Sequence, residues 1–482
     1  MGKIMGEPTR IRAPELPDNL EWFNTDQTLT LASQRGKVVL LDFWSYCSIN
    51  CMHVMPDLRY LERKYPETLT VIGIHSPKFE NERLGPQLQK AINRHHIRHP
   101  VANDPGFQLW RAYGIKAWPS TIFIDPEGFV VGVLRGEGRR KQLDELIAKH
   151  TAAAQEKGVL VRSPMPVTLQ PEPESTLSFP GKVLATRSNL YIADSGRNRV
   201  LETHHDGKIR RIFGSGTGGM LDGIETAAMF DNPQGMVIVG DFLYIADTGN
   251  HALRRIHLKS GEVMTLAGTG KQGRYVADNF REPLDAQLNS PWDLGYHEGN
   301  LYIAMAGQHQ IWRMNLNHQA IERYAGSGRE DIVDGPTDRA GFAQPSGLAV
   351  HDGRLYVMDS ETSAIREVHL TQNLVRTLVG KGLFDFGDRS GVGLEARLQH
   401  PLGITVDAER NALWIADTYN SKIKRIDMQT SEVSAFKFSF QLNEPGGLSL
   451  YRNKLFIANT NEHQIVALDL QTRMAEVVNV RE

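Results

Sequence analysis

One short motif recurs through the second part of the chain, and it restricts the fold more than any other feature. Its six copies are LYIADSGRNRV (190–200), LYIADTGNHAL (243–253), LYIAMAGQHQI (301–311), LYVMDSETSAI (355–365), LWIADTYNSKI (413–423) and LFIANTNEHQI (455–465). A turn and a short strand pattern precede each copy, and two further strand patterns follow it. Four strands per repeat, at a period of roughly 40–60 residues, are typical of propeller blades. The repeats therefore predict a six-bladed β-propeller over residues 181–482.

A different pattern precedes the repeats, in residues 1–158. KVVLLDF (37–43) and LTVIGIHS (69–76) are continuous apolar runs, as expected of strands buried on both faces. Helical patterns alternate with them, and residues 120–136 read as a hairpin around a Pro-Glu-Gly turn. This order predicts an α/β domain. The proline-rich stretch that follows predicts a linker over residues 159–180.

Composition limits the environment of the chain. The first twenty residues hold no apolar segment of the secretory type. No apolar run approaches the roughly eighteen residues that a membrane span needs. Two cysteines among 482 residues suit a reducing cytoplasm. The formal net charge of −2 gives no general attraction to nucleic acid or to anionic membranes. We therefore expect a cytoplasmic location and no membrane partner.

Both cysteines, Cys47 and Cys51, fall in the segment WSYCSINCMHVMP. On an ideal helix their Cα atoms would be about 6.2 Å apart, near the upper end of the range of about 4.4–6.8 Å that disulfides tolerate. A first interpretation is therefore a redox pair, with thiolate favoured by the helix N-terminus. A second is a non-catalytic binding fold, in which Ser48 caps a helix and Cys51 is a small buried residue.

A third interpretation of the cysteine segment is a soft-metal site, for which His53 would have to turn toward the thiols. A surface position is the commoner outcome for such a histidine. The other histidine cluster, His95, His96 and His99, lies in a polar connecting segment without metal-ligand spacing. We expect these three side chains to be solvated, and we predict neither a metal nor a cofactor.

The stretch DFWSYCSINCMHVMPDL (42–58) resembles the active-site segment of thioredoxin-like proteins of the TlpA-like and peroxiredoxin-related branch. Trp44 anchors the alignment. The resemblance implies that Cys51 occupies the position of the resolving cysteine, and that Asp42 is the buried carboxylate assisting proton transfer to it. It also implies that Pro119, in AWPST, is the cis-proline beside the thiols.

The position of that family's attacking cysteine is occupied here by Ser48, with Cys47 one residue earlier. The LYIAD-type repeats resemble NHL repeats. Proteins with a thioredoxin-like domain before NHL repeats resemble this chain from end to end, and they commonly carry cysteine at both of these positions. The resemblance implies an α/β thioredoxin-like domain followed by an all-β six-bladed NHL-type β-propeller.

These observations predict a thiol-disulfide oxidoreductase-like protein with Cys47 and Cys51 as its dithiol, and Asp42, Trp44 and Pro119 around them. The alternative is a non-catalytic interaction scaffold. The sequence names no thiol or disulfide substrate.

Long inserts between blades predict a protein partner at the propeller rim. They are residues 214–232, 268–290, 326–344 and 380–400, and they carry the aromatic residues Phe230, Tyr275, Phe280, Phe384 and Phe386, which we expect to be exposed. Their mixture of Gly, Asp, Arg and aromatic residues suits a polar protein surface better than a nucleic-acid groove.

Overall fold

The computed structural model describes residues 10–274 and 279–482. The chain divides into two compact units, the first ending at Pro173 and the second spanning Glu174–Glu482. The predicted fold class is confirmed, because an α/β unit of the thioredoxin type precedes a β-propeller. No helix in the two described ranges has both the length and the apolarity that crossing a membrane demands.

The first unit is built on one mixed β-sheet. Its strands are β1 (Ile11–Arg12), β2 (Glu21–Phe23), β3 (Val38–Trp44), β4 (Leu69–His75), β5 (Val101–Asn103), β6 (Ser120–Ile124) and β7 (Phe129–Arg135). Their order across the sheet is β1-β7-β6-β3-β4-β5-β2, with β3 parallel to β4 and antiparallel to β6. Strand β3 is therefore central, and all of its residues are buried. This position explains its continuous apolar sequence.

Helices cover both faces of this sheet. They are α1 (Ile49–Lys64), α2 (Gly85–Arg94), α3 (Gln108–Ala112) and α4 (Arg140–Glu156). Alternate residues of β3 enter different cores. Val38 and Leu40 pack with side chains of α1 and α4, whereas Leu41 packs in the core on the opposite face. The same alternation directs Asp42 toward the face that α1 covers.

The proline-rich stretch after α4 is an extended segment that packs on the first unit. The Val161 N–H donates to the Gly36 carbonyl at 2.9 Å, and the Thr168 N–H donates to the Asn24 carbonyl at 3.0 Å. Glu172 pairs with Lys90 at 2.7 Å. Residues 159–173 are thus part of the first unit, held to the rest of it by hydrogen bonds and an ion pair.

The second unit contains six β-sheets within its described residues, so the predicted number of blades is confirmed. Each blade has four main strands: Lys182–Ala185, Asn189–Asp194, Arg199–His204 and Ile209–Phe213 in the first blade, and Pro233–Val239, Phe242–Asp247, Ala252–His257 and Glu262–Ala267 in the second. They are Pro291–His297, Asn300–Met305, Gln310–Asn315 and Ile321–Ala325 in the third blade, and Pro345–His351, Arg354–Asp359, Ala364–His369 and Leu374–Val379 in the fourth. They are Gly403–Asp407, Ala412–Asp417, Lys422–Asp427 and Glu432–Ala435 in the fifth blade, and Pro445–Tyr451, Lys454–Asn459, Gln464–Asp469 and Ala475–Val477 in the sixth. The recurring motif forms the second strand of every blade, and its apolar residues are buried between neighbouring blades.

The long inserts between blades are folded onto the blade that follows them. Four two-residue strands, Gly223–Ile224, Asn279–Phe280, Gly335–Pro336 and Gly391–Val392, each pair with the fourth strand of the next blade. A buried cation fixes the first insert, since Arg254 donates to Asp247 at 2.9 Å and to Asp222 at 3.0 Å. Arg366 and Lys424 make the corresponding ion pairs in the fourth and fifth blades.

The exposure expected for the insert aromatics is correct only in part. Phe384 is 74% exposed, and Phe386 is half-buried. Phe230 is fully buried, with the Arg254 guanidinium 5.0 Å from its ring centroid. Phe280 is partly buried and stacks on Trp312, and Tyr275 lies outside the described residues. The buried Arg254 that holds the first insert in place also packs over the Phe230 ring.

Candidate functional site

The two cysteines lie where β3 ends and α1 begins. Ser48 is the N-cap of α1, and its Oγ accepts a hydrogen bond from the Cys51 N–H at 3.4 Å. Cys47 precedes this cap and lies outside the helix, so the Cα separation expected for two helical residues does not apply. Both side chains are thiols rather than halves of a disulfide, and each residue is 1% exposed.

Asp42 is a buried carboxylate on the face of β3 that α1 covers. It is 2% exposed, and the Thr121 hydroxyl donates to its Oδ1 at 3.3 Å. Burial raises the pKa of Asp42 to about 6, although the charge of His99 and the Thr121 hydrogen bond act in the opposite direction. A carboxyl group with this pKa exchanges its proton close to neutral pH.

The Cys51 thiol is electrostatically coupled to Asp42. Burial raises the pKa of Cys51 above its ordinary value, and the negative charges of Asp42 and Glu82 raise it further. Hydrogen bonds from the Ser45 backbone and the Ser48 side chain lower the Cys51 pKa, each by less than burial raises it but by more than either charge does. Cys51 is therefore held as a neutral thiol that needs a nearby proton acceptor before it can react.

The surroundings of Cys47 include a carboxylate that the sequence did not reveal. Glu82 lies in the single 3₁₀ turn Asn81–Arg83 and is 0% exposed. Its Oε1 accepts the Cys47 N–H at 2.9 Å and the Ser45 hydroxyl at 2.7 Å. The Ser45 Oγ in turn lies 3.1 Å from the Cys47 Sγ. Glu82 stands in a polar stretch, and no local pattern distinguishes it from a solvated residue.

Trp44 is the last residue of β3, and Pro119 immediately precedes β6, the strand that pairs with β3. The Trp118–Pro119 peptide bond is cis, as the resemblance implies for this proline. Because Phe43 pairs with Ser120, the register places Pro119 beside the end of β3. Trp44 is 1% exposed, and its ring lies edge-on to His75 with the centroids 5.1 Å apart. Trp44 thus packs in the core at the point where the cysteine segment leaves the sheet.

The expectations for the histidines of this unit are mostly wrong. The His53 side chain is 6% exposed and pairs through Nδ1 with the Glu137 carboxylate, so it is not a surface residue. His99 is buried and His95 is half-buried, and burial lowers the pKa of His95. Only His96 is exposed as expected. The segments that carry these histidines are polar in sequence but pack against the rest of the unit, and polarity alone does not predict that burial. Within residues 10–274 and 279–482, no three His, Cys, Asp or Glu side chains are grouped to hold a metal ion.

Comparison with known proteins agrees with this architecture. A family model described as thioredoxin-like matches residues 36–130. The chain is 37% identical to NHL repeat-containing protein 2 of Bos taurus, over 99% of this chain and 73% of that protein. It is 40% identical to Protein SUPPRESSOR OF QUENCHING 1, chloroplastic, of Arabidopsis thaliana, over 93% of this chain and 46% of that protein.

The first unit has a further relative of its own. It is 28% identical to the thiol-disulfide oxidoreductase ResA of Bacillus thuringiensis, over 26% of this chain and 69% of that protein. The match to the Bos taurus protein spans nearly all of this chain, and so includes both the thioredoxin-like unit and the repeats. The chain belongs to the NHL repeat-containing protein 2 family.

Proposed function

We propose that the first unit is a thiol-disulfide oxidoreductase whose reactive pair is Cys47 and Cys51. The observation that carries the proposal is the position of Cys51 in the first turn of α1, over the face of β3 that holds Asp42, a buried carboxyl whose pKa is raised to about 6. Such a carboxyl can take a proton from a buried thiol and return it at neutral pH. A buried acid with so few donors costs stability, which favours a chemical role over a structural one. The likeness to ResA supports the same reaction class.

The proposed reaction takes two steps in the direction that oxidises the protein dithiol and reduces a substrate disulfide. Cys47 loses its proton and its sulfur attacks a disulfide R–S–S–R′, which breaks that S–S bond, forms a mixed disulfide between Cys47 and the R–S group, and releases R′S⁻, which takes up the proton as R′SH. Cys51 then gives its proton to Asp42 and attacks the Cys47 sulfur, which forms the Cys47–Cys51 disulfide and releases RS⁻. The substrate disulfide is reduced to two thiols, and the protein dithiol is oxidised by the same two electrons. The reverse sequence oxidises a substrate dithiol.

A second candidate function, a non-catalytic scaffold, is favoured by the burial of the site. Cys47 and Cys51 are each 1% exposed, and the pKa of Cys51 is raised by burial. In an oxidoreductase, the cysteine segment would therefore have to open before a protein disulfide could reach the Cys47 sulfur. In a scaffold the same burial would simply make the thiols inert.

For the propeller we propose recruitment of a protein partner through the rim inserts. Support comes from apolar side chains that stand exposed among polar neighbours in two of them, 214–232 and 380–400: Leu221 at 53%, Ile224 at 61%, Phe384 at 74% and Val392 at 52%. Isolated apolar anchors within a polar surface are typical of protein interfaces. The partner would carry the disulfide that the first unit exchanges. We propose the cytoplasm as the location, because only two cysteines occur in the chain.

The test of the reaction is a thiol count on the full chain after equilibration in glutathione buffers of graded ratio. The protein is denatured in the presence of a maleimide, and mass spectrometry counts the labelled thiols. We expect both thiols to disappear together as the buffer becomes oxidising, and Cys47→Ala and Cys51→Ala to abolish turnover with a small dithiol. If the parent protein forms no intramolecular disulfide and exchanges no faster than the two alanine variants, the scaffold is the correct function.

A further inference from the structure

A second buried carboxylate lies one hydroxyl group away from the Cys47 thiol. The Ser45 hydroxyl donates to the Glu82 Oε1 at 2.7 Å, and the Ser45 Oγ is 3.1 Å from the Cys47 Sγ. A serine hydroxyl has one proton, which goes to the carboxylate here, so the Ser45 oxygen accepts from the Cys47 S–H. Ser45 and Glu82 are both 0% exposed. An unbroken hydrogen-bonded path therefore runs from the thiol to the carboxylate.

Four donors hold Glu82 at the end of this path. Besides the Ser45 hydroxyl, they are the backbone N–H groups of Cys47 at 2.9 Å, Lys78 at 2.8 Å and Phe79 at 2.9 Å. Four donors match the acceptor sites of an ionised carboxylate, which is the form that can receive a proton. The same bonds fix the carboxylate relative to Cys47, because one of the donors is the Cys47 backbone itself.

We propose that Ser45 and Glu82 form a proton relay that deprotonates Cys47 as it attacks a disulfide. The inference rests on the proposed oxidoreductase function. The Cys47 proton passes to the Ser45 Oγ while the Ser45 proton passes to the Glu82 Oε1. The sulfur electron pair forms the new S–S bond, and the substrate thiolate leaves. Ser45 touches the reacting sulfur, and Glu82 is a positioning residue that acts through it.

The relay gives each thiol of the pair its own carboxylate. Asp42 is coupled to Cys51, and Glu82 is joined through Ser45 to Cys47. Since both thiols are shielded from solvent, neither can lose its proton directly to bulk water. The two carboxylates belong to different elements of the unit, β3 and the 3₁₀ turn Asn81–Arg83. The proton that each thiol must lose thus has a separate acceptor inside the protein.

The experiment measures how fast iodoacetamide alkylates Cys47 at neutral pH in the full chain carrying Cys51→Ala, in which Cys47 is the remaining thiol. We expect Ser45→Ala to slow alkylation about tenfold or more, because the thiolate loses a charge-assisted hydrogen bond and its proton path. Glu82→Gln should slow it similarly. The double variant should be no slower than either single variant, since both changes break one path. Ser45→Thr keeps the hydroxyl and should restore most of the rate.

Unchanged rates, or losses that multiply in the double variant, would overturn the relay. Glu82→Gln also disturbs the bonds to Lys78 and Phe79, so Ser45→Ala, which leaves those bonds in place, decides the matter if Glu82→Gln does not fold. Alkylation of Cys47 requires no Cys51. A chain that forms no Cys47–Cys51 disulfide but shows the relay pattern therefore contradicts the proposed function alone. If the parent protein forms the disulfide but Ser45→Ala and Glu82→Gln do not change the alkylation rate of Cys47 in the Cys51→Ala chain, only the relay is contradicted.

Discussion

The His463 Nδ1 accepts a hydrogen bond from the Phe179 N–H at 3.0 Å, across 284 positions of sequence. His463 follows the second strand of the sixth blade, and Phe179 leads into the first strand of the first blade. The contact is therefore one of the bonds that close the propeller into a ring. Corresponding contacts join each other pair of successive blades, from Asn232 to Asn198, Ser290 to His251, Gln344 to His309, His400 to Ser363 and Glu444 to Ser421.

The first prediction concerns this closing bond. His463→Leu replaces the imidazole with an apolar side chain and so removes the acceptor. Because Phe179 is 4% exposed, its N–H would lose its partner in a buried place. We expect the free energy of unfolding to fall by about 1–3 kcal/mol. His463→Asn retains an acceptor, as Asn198 does in the first blade, and should lose less. Urea unfolding of the full chain measures both. Equal losses in the two variants would show that ring packing, not the hydrogen bond, is responsible.

Sequence reasoning succeeded where the determining contacts are local or repeated. The six motif copies fixed the number of blades, and the segment around Asp42 and Cys51 fixed the position of the thiols at a helix start. It failed where a contact joins distant segments. The Glu82 carboxylate accepts the Cys47 N–H from 35 positions away in sequence, and no pattern near Glu82 predicts Ser45 and Cys47 as its donors. The polar sequence of its insert predicted that Phe230 is exposed. In the structure the buried Arg254 packs over the Phe230 ring, and the insert lies against the blade.

The second prediction concerns an ion pair between blades that are not neighbours. Lys182, in the first blade, places its Nζ 2.7 Å from the Asp293 Oδ2 in the third, and both side chains are at most 10% exposed. Lys182→Met leaves a buried carboxylate without its cation and should cost about 3–5 kcal/mol of unfolding free energy. Adding Asp293→Asn removes that charge, so the double variant should lose less than the sum of the single losses. Additive losses in urea unfolding would mean that the two residues are not coupled.

The third prediction concerns the pH dependence of stability at Asp42. Its pKa of about 6 in the folded protein exceeds the ordinary value of 3.8, so the folded state holds more protons than the unfolded chain between these limits. The stability contribution of Asp42 is thus present below about pH 4 and is lost as the pH rises through about 6. Asp42→Asn removes this dependence.

The Asp42→Asn variant should therefore gain stability relative to the wild type as the pH rises from about 4 to about 6, by at most about 3 kcal/mol, with no further gain above. Urea unfolding of both proteins at four pH values between 4.5 and 7.5 measures the difference. The propeller residues Asp247 and Asp359 also have a pKa raised by burial to about 6, but they are present in both proteins and cancel. A difference that stays constant with pH would refute the buried titration.

The last prediction tests whether the spacing of the thiols limits the reaction. Ser48→Cys places a thiol three residues before Cys51, at the N-terminus of α1, where unpaired N–H groups and the helix dipole lower the pKa of a thiol. We expect exchange with a small disulfide to become at least about tenfold faster than in the wild type. The substitution also weakens the helix cap, because the Ser48 Oγ accepts the Cys51 N–H and sulfur is a poorer acceptor. Ser48→Ala is the matched control, since it loses the same cap without gaining a thiol. It should destabilise the unit by about 1 kcal/mol and leave exchange no faster than in the wild type. If Ser48→Cys exchanges no faster than Ser48→Ala, the displaced position of Cys47 does not limit the reaction, and the closed cysteine segment does.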